Sequence, residues 1–179
     1  MKHEPIILPY KGKLPQIHPT AFIAPGAVII GDVTIGAKTN IWFGCVVRGD
    51  VQSITIGERT NIQDGTIVHV TRVTGPTKIG SGVTIGHQAL LHACTVEDGA
   101  FIGMGAKMLD GSVVESQAML AAGALLTPNK RIPSGQIWAG NPAKYFKDLS
   151  EKELEFFPQS AANYVLHGEE YRAELGLDG

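Results

Sequence analysis

Residues 96–138 read V-E-D-G-A-F-I-G-M-G-A-K-M-L-D-G-S-V-V-E-S-Q-A-M-L-A-A-G-A-L-L-T-P-N-K-R-I-P-S-G-Q-I-W. Large apolar residues fall at Val96, Ile102, Met108, Val114, Leu120, Leu126, Ile132 and Trp138, each six after the last. A helix of period about 3.6 cannot hold a stripe at six, and a plain strand of period 2 would not skip two of every three apolar positions. Working back toward the N-terminus, Ile23, Ile29, Ile35, Ile41 and Val47 keep the same step. After a slip it resumes at Ile56, Ile62 and Val68, and again at Ile79, Ile85 and Leu91. The dipeptide Ile-Gly recurs along this stretch, and glycine makes up 22 of 179 residues, well above the usual ~7%.

Hexapeptide periodicity predicts an all-β fold, a parallel β-helix. Each unit is a short strand plus a turn, and three units form one triangular coil of 18 residues. The aliphatic residue points inward and stacks on its equivalent one coil later, while small residues occupy the corners. A β-sandwich would instead show alternating strands with turns every ~8–12 residues, which the unbroken run from 96 to 138 opposes. The repeat ends near G-N-P-A-K at 140–144, after which the chain turns rich in Glu, Leu, Ala and Tyr. The organisation expected is a repeat domain over 1–145, with a short N-terminal lead-in, and a helical tail over 146–179. Ser150 followed by Glu153 has the capping-box pattern, so a helix should start there. Pro158 is expected to divide that helix or to begin a second piece.

Net charge is −2, with both signs dispersed. This argues against nucleic acid and against a basic membrane-binding face. No apolar run reaches the length of a signal peptide or a membrane span, and the expected location is cytoplasmic. Cys45 and Cys94 lie in apolar surroundings and read as buried thiols.

The repeat also serves as a ruler. Val68 and Ile79 are 11 apart, so the segment between them carries about five residues beyond one unit. His69 and His92, each one residue after its aliphatic, are 23 apart; without the insertion they are one coil apart. They should therefore stack on one face at the ~4.8 Å strand spacing, close enough to share a metal ion. His87 belongs to a neighbouring face. It would reach such a pair only on another copy, in a ring of three chains. Three imidazoles with an open fourth position suit a catalytic rather than a structural zinc site. Arg48 and Gln63 occupy the same slot after their aliphatics, and Asp50, Asn61 and Asp64 lie beside them. An Arg48 ion pair with Asp50 or Asp64 is the plain structural reading. His3, His18 and His167 fall outside the register and receive no role.

The set R-G-D at 48–50, N-I-Q-D-G at 61–65, His69 and G-H-x4-H at 86–92 resembles the γ-class carbonic anhydrase family, as do A-G-N-P-A-K at 139–144 and N-Y at 163–164. The resemblance covers about residues 10–172. It implies a left-handed β-helix with the C-terminal helix packed along it, and a homotrimer with one metal at each subunit interface. Zinc is the implied ion, with iron or cobalt as substitutes, and CO2 and bicarbonate are the implied substrates. His69 and His92 would come from one chain and His87 from its neighbour. Arg48, Asp50 and Asp64 would form the ionic set at that interface, with Asn61 in the same cluster. Gln63 would orient the water or hydroxide on the metal, and Tyr164 would lie near the pocket.

One departure concerns proton export. The archaeal prototype of the family has a glutamate directly after the aspartate of the R-G-D-like triplet, and another in an acidic loop. Here the first position is Val51, and the segment from Val70 to Lys78 contains no carboxylate. The alternatives are a related CoA thioesterase, a hexapeptide acyltransferase using a single histidine base, or a catalytically weak metal-binding trimer.

Overall fold

The computed structural model describes residues 4–177, which leaves His3 outside the described residues. The chain winds into a parallel β-solenoid with three faces. One face is a ladder of two-residue strands, Phe22–Ile23, Asn40–Ile41, Asn61–Ile62, Thr84–Ile85, Phe101–Ile102 and Met119–Leu120, ending on Gln136–Ala139. The other two faces join into a single sheet because the strands Val28–Ile35 and Val46–Ile56 run around a corner from one face to the next. Seven rungs on the first face correspond to about seven coils.

The six-residue stripe is the core. Ile29, Ile41, Val47, Ile62, Val68, Ile85, Leu91, Ile102, Met108, Val114, Leu120, Leu126 and Ile132 are all fully buried. Each such side chain contributes about 1.5–3 kcal/mol by leaving water. Equivalent residues pair directly, as in Val68 with Leu91, Leu91 with Met108, and Met108 with Leu126. A second row of buried hydroxyls and amides caps the corners: the Thr39 hydroxyl donates to the Gly57 carbonyl at 2.6 Å and that of Thr60 to Gly80 at 2.7 Å. Coils approach so closely at some corners that no side chain fits. A Cβ on Gly86 would sit 2.5 Å from the Met104 backbone nitrogen.

The solenoid closes with the strand Lys144–Asp148, which folds back antiparallel onto Gln136–Ala139. Helix α1 follows at Glu151–Glu174. Ser150 accepts from the Glu153 amide, and the Glu153 carboxylate accepts from the Ser150 amide at 2.9 Å, so both halves of the capping box are present. Pro158 does not divide the helix, which runs through it as one element. Proline removes one N–H from the ladder, but tertiary packing decides helix stability in proteins. Phe157, Ala161 and Val165 are buried around the proline, with Phe157 stacked on Phe101 at 5.1 Å between ring centroids. The helix lies on the face made by Phe22–Ile23, Asn40–Ile41, Asn61–Ile62 and Thr84–Ile85. No helix is long and apolar enough to cross a membrane among the described residues.

Candidate metal centre

Among the described residues the 18-residue step is broken at one corner only, and that corner carries His69 and His92. Ile35 pairs with Ile56 across 21 residues, Ile56 with Ile79 across 23, and Ile79 with Val96 across 17. Each deviation falls at the corner between the two faces of the joined sheet: four extra residues around Lys11, three near Asp50, five in the 70–78 loop, and one fewer after His92. Beyond Val96 the step returns to 18, as in Val96 with Val114.

At this corner His69 and His92 are paired in register on adjacent strands. Their ring centroids are 5.2 Å apart. Asp50 bridges two groups: one carboxylate oxygen takes the Arg48 guanidinium, and the other lies 3.1 Å from His69 Nε2. Burial works against ionising Asp50, but the hydrogen bonds from Arg48 and His69 outweigh it and hold the carboxyl below its ordinary range. On the far side of the pair, His92 Nδ1 lies 2.5 Å from Asp110 Oδ1. The other Asp110 oxygen accepts from the Thr74 hydroxyl at 2.8 Å. The His92 contact is the largest influence on Asp110 and holds its carboxyl below the usual value. Asp110 and Thr74 were not singled out from the sequence. Asp110 stands 18 residues after His92, and that spacing was the available signal.

His87 occupies a different corner. Its turn stacks directly on that of Asp64, since the Gln88 amide donates to the Asp64 carbonyl at 2.9 Å. Gln88 takes a left-handed conformation, φ 58°, where the preceding coil uses Gly65, φ 71°. This stacking brings His87 Nδ1 within 2.9 Å of Asp64 Oδ2. Within one chain, therefore, Asp64 partners His87 and stands apart from the Arg48–Asp50 pair. Among the described residues, no three His, Cys, Asp or Glu side chains of a single chain gather as a metal cluster.

Gln63, one residue before Asp64, belongs to a buried relay. Its Nε2 donates to Asn61 Oδ1 at 3.0 Å, and Asn61 Nδ2 donates to Thr84 Oγ1 at 2.9 Å. Thr84 Oγ1 in turn meets Ser160 Oγ of α1 at 3.2 Å. Asn61 is wholly buried and Gln63 nearly so, so the helix and the solenoid together set the Gln63 amide. Tyr164, one turn along α1 from Ser160, packs edge-on to Trp42 at 5.6 Å. Burial pushes its phenol up, and the charge of Asp64 adds to that effect. Gln63, Tyr164, Ser160 and Gly86 line one cavity of about 390 Å³, walled by Phe101, Met104, Met119 and Phe156. The His87 turn borders it through Gly86. His18 instead faces the Thr20 hydroxyl at 2.9 Å, and His167 lies against the Tyr164 ring. The two thiols are buried, and burial raises Cys45 to about 11 and Cys94 to about 12.

Comparison with known proteins fits this arrangement. Residues 15–49 match the family model described as bacterial transferase hexapeptide (six repeats). A carbonic anhydrase of Geobacillus kaustophilus is 44% identical over 168 residues, covering 94% of this chain and 92% of that protein. Gamma carbonic anhydrase 2, mitochondrial, of Arabidopsis thaliana is 54% identical over 158 residues, 86% of this chain. The chain belongs to the γ-carbonic anhydrase family. It spans about three fifths of the Arabidopsis relative's length, 57%. Among solved structures, a hexapeptide transferase family protein of Anaplasma phagocytophilum superposes with a TM-score of 0.90 at 48% identity, over 96% of this chain and 99% of that one.

For a γ-carbonic anhydrase chain, the donor set fits a divalent metal. Metal-binding histidines commonly hold their second ring nitrogen on a carboxylate or carbonyl, which sets tautomer and orientation. His69, His87 and His92 each have one nitrogen on a carboxylate, respectively Asp50, Asp64 and Asp110. Among the described residues, none shows a protein partner on the other ring nitrogen. Imidazole donors suit zinc and also iron. One chain brings two of the three rings together and presents the third at another corner.

Proposed function

We propose that this chain is a metal-dependent carbonic anhydrase interconverting CO2 and bicarbonate, assembled as a homotrimer with a site at each subunit interface. The observation that carries this reading is the pairing of each of the three histidines with its own carboxylate. His69 and His92 of one protomer, with His87 of a neighbour, would hold the ion. Zinc is the favoured occupant, with iron or cobalt as alternatives. A divalent cation held by three imidazoles supplies Lewis acidity that makes water nucleophilic near neutral pH.

The protein's own groups do the rest. Gln63, fixed by Asn61, presents its amide to the cavity and orients the attacking water. Tyr164 borders the same space and positions substrate oxygen. Arg48 and Asp50 hold His69 and supply the charged rim. The proton released on hydration has no carboxylate waiting on the 70–78 loop or at Val51, so it leaves mainly to external buffer.

A second reading follows from the cavity itself. Its volume of about 390 Å³ and its largely apolar walls match sites for small organic ligands, typically ~300–1,000 Å³. That capacity favours a thioester with a short acyl chain as an alternative substrate.

Metal analysis of purified protein and stopped-flow CO2 hydration test the proposal. We expect about one metal per chain, hydration that disappears with chelator, and a rate that rises with buffer concentration. Absence of metal after reconstitution would remove the site. Metal without hydration, together with cleavage of short acyl-CoA, would favour the second reading.

A further inference from the structure

We infer that Asp110 and Thr74 form a positioning pair that sets the tautomer and orientation of His92. The inference rests on the metal-site reading above. Three successive turns stack at this corner. The Ala93 amide donates to the His69 carbonyl at 3.1 Å, and the Gly111 amide donates to the Ala93 carbonyl at 2.8 Å. Asp110 is thereby carried directly beneath the imidazole of the preceding coil. The coil from Leu91 to Met108 is one residue short, at 17. Strict register would place Leu109 opposite His92, so the side chain that meets the ring comes from one position further along.

The carboxylate is held on both oxygens. Oδ1 meets His92 Nδ1 at 2.5 Å and Oδ2 accepts from the Thr74 hydroxyl at 2.8 Å. Thr74 reaches it because the five extra residues of the third coil fold back on themselves. Thr71 and Gly75 exchange backbone hydrogen bonds of 3.3 Å in both directions. Gly75, at φ 114°, allows that tight return. The base of the loop is tied down by Thr77, whose hydroxyl donates to the carbonyl of His69 at 2.5 Å. A carboxylate accepting from Nδ1 keeps the proton on that nitrogen and leaves the Nε2 lone pair available. The loop that lacks an acidic residue thus serves the site differently: it braces the carboxylate behind a ligand.

The test uses full-length protein with Asp110→Ala, Asp110→Asn and Thr74→Val. Nitrogen NMR of histidine-labelled, metal-free protein reads the tautomer of His92. We expect the Nδ1–H form in the wild type and growth of the Nε2–H form in Asp110→Ala. Competition with a chelator reads metal affinity, with an expected loss of about 10–100-fold in Asp110→Ala. Asp110→Asn, which keeps an oxygen acceptor, should recover part of that loss, and Thr74→Val should weaken binding only a few-fold. If Asp110→Ala fails to fold, the milder two variants carry the same comparison. Unchanged tautomer and affinity in the variants, with a metal-binding wild type, would overturn the positioning role. A wild type that binds no metal but shows the tautomer shift would instead remove the metal-site reading and leave the pairing intact.

Discussion

Asn61 illustrates how a single buried side chain can set the chemistry of another. Its carbonyl oxygen accepts from Gln63 and its amide nitrogen donates to Thr84, so one orientation of the amide satisfies both partners. Asn61→Ala would strand a buried N–H on Gln63, a penalty of about 1–3 kcal/mol. The expected outcome is a protein that still binds metal but turns over at least 10-fold more slowly, measured by metal analysis beside stopped-flow hydration. Unaltered turnover would mean that Gln63 does not need the relay. At this scale the sequence revealed the histidines well, because an imidazole in an apolar repeat stands out. Thr84 and Ser160 were silent, since one lies in a short strand and the other in α1, 76 residues apart, and no repeat spacing connects them.

Among the elements, α1 shows which local signals outlast tertiary packing and which do not. Ser150 and Glu153 form their capping box as the spacing implies, whereas Pro158 is overruled by the packing around Phe157 and Ala161. Glu153 also receives Lys147 at 2.8 Å. Hydrogen bonds from Lys147 and then Ser150 lower its carboxyl from 4.5 to about 2. A carboxylate with a folded pKa below its unfolded value stabilises fully above the unfolded value and loses that support as pH falls through the folded one. The helix start should therefore loosen between about pH 4.5 and about pH 2. Far-ultraviolet circular dichroism would detect it, with Glu153→Gln flattening the change. Ser150→Ala should cost about 1 kcal/mol of stability at neutral pH. A profile identical in wild type and Glu153→Gln would contradict this assignment. The strands themselves were readable from the aliphatic stripe, because Val96 through Trp138 never miss a step. The short coil after His92 is harder to see, since losing one residue leaves the hydrophobic pattern almost unchanged.

Over the whole molecule, the solenoid's cross-section places the histidines at two separate corners. One corner holds His69 and His92 with Asp50 and Asp110, and another presents His87 with Asp64. Periodicity made the fold and the pairing of His69 with His92 legible. It says nothing about neighbouring chains, because contact between copies depends on surface shape rather than on repeat. The central claim is that a working site takes His69 and His92 from one protomer and His87 from the next. The direct measurement mixes His87→Ala with His92→Ala chains, unfolds and reassembles them together, and determines metal content. Each variant alone should bind no metal. In a cyclic trimer, each mixed assembly regains one complete interface, so an equal mixture should recover about one quarter of the wild-type metal. Metal retained by either variant alone, or no recovery on mixing although mixed trimers form, would contradict a site shared between subunits.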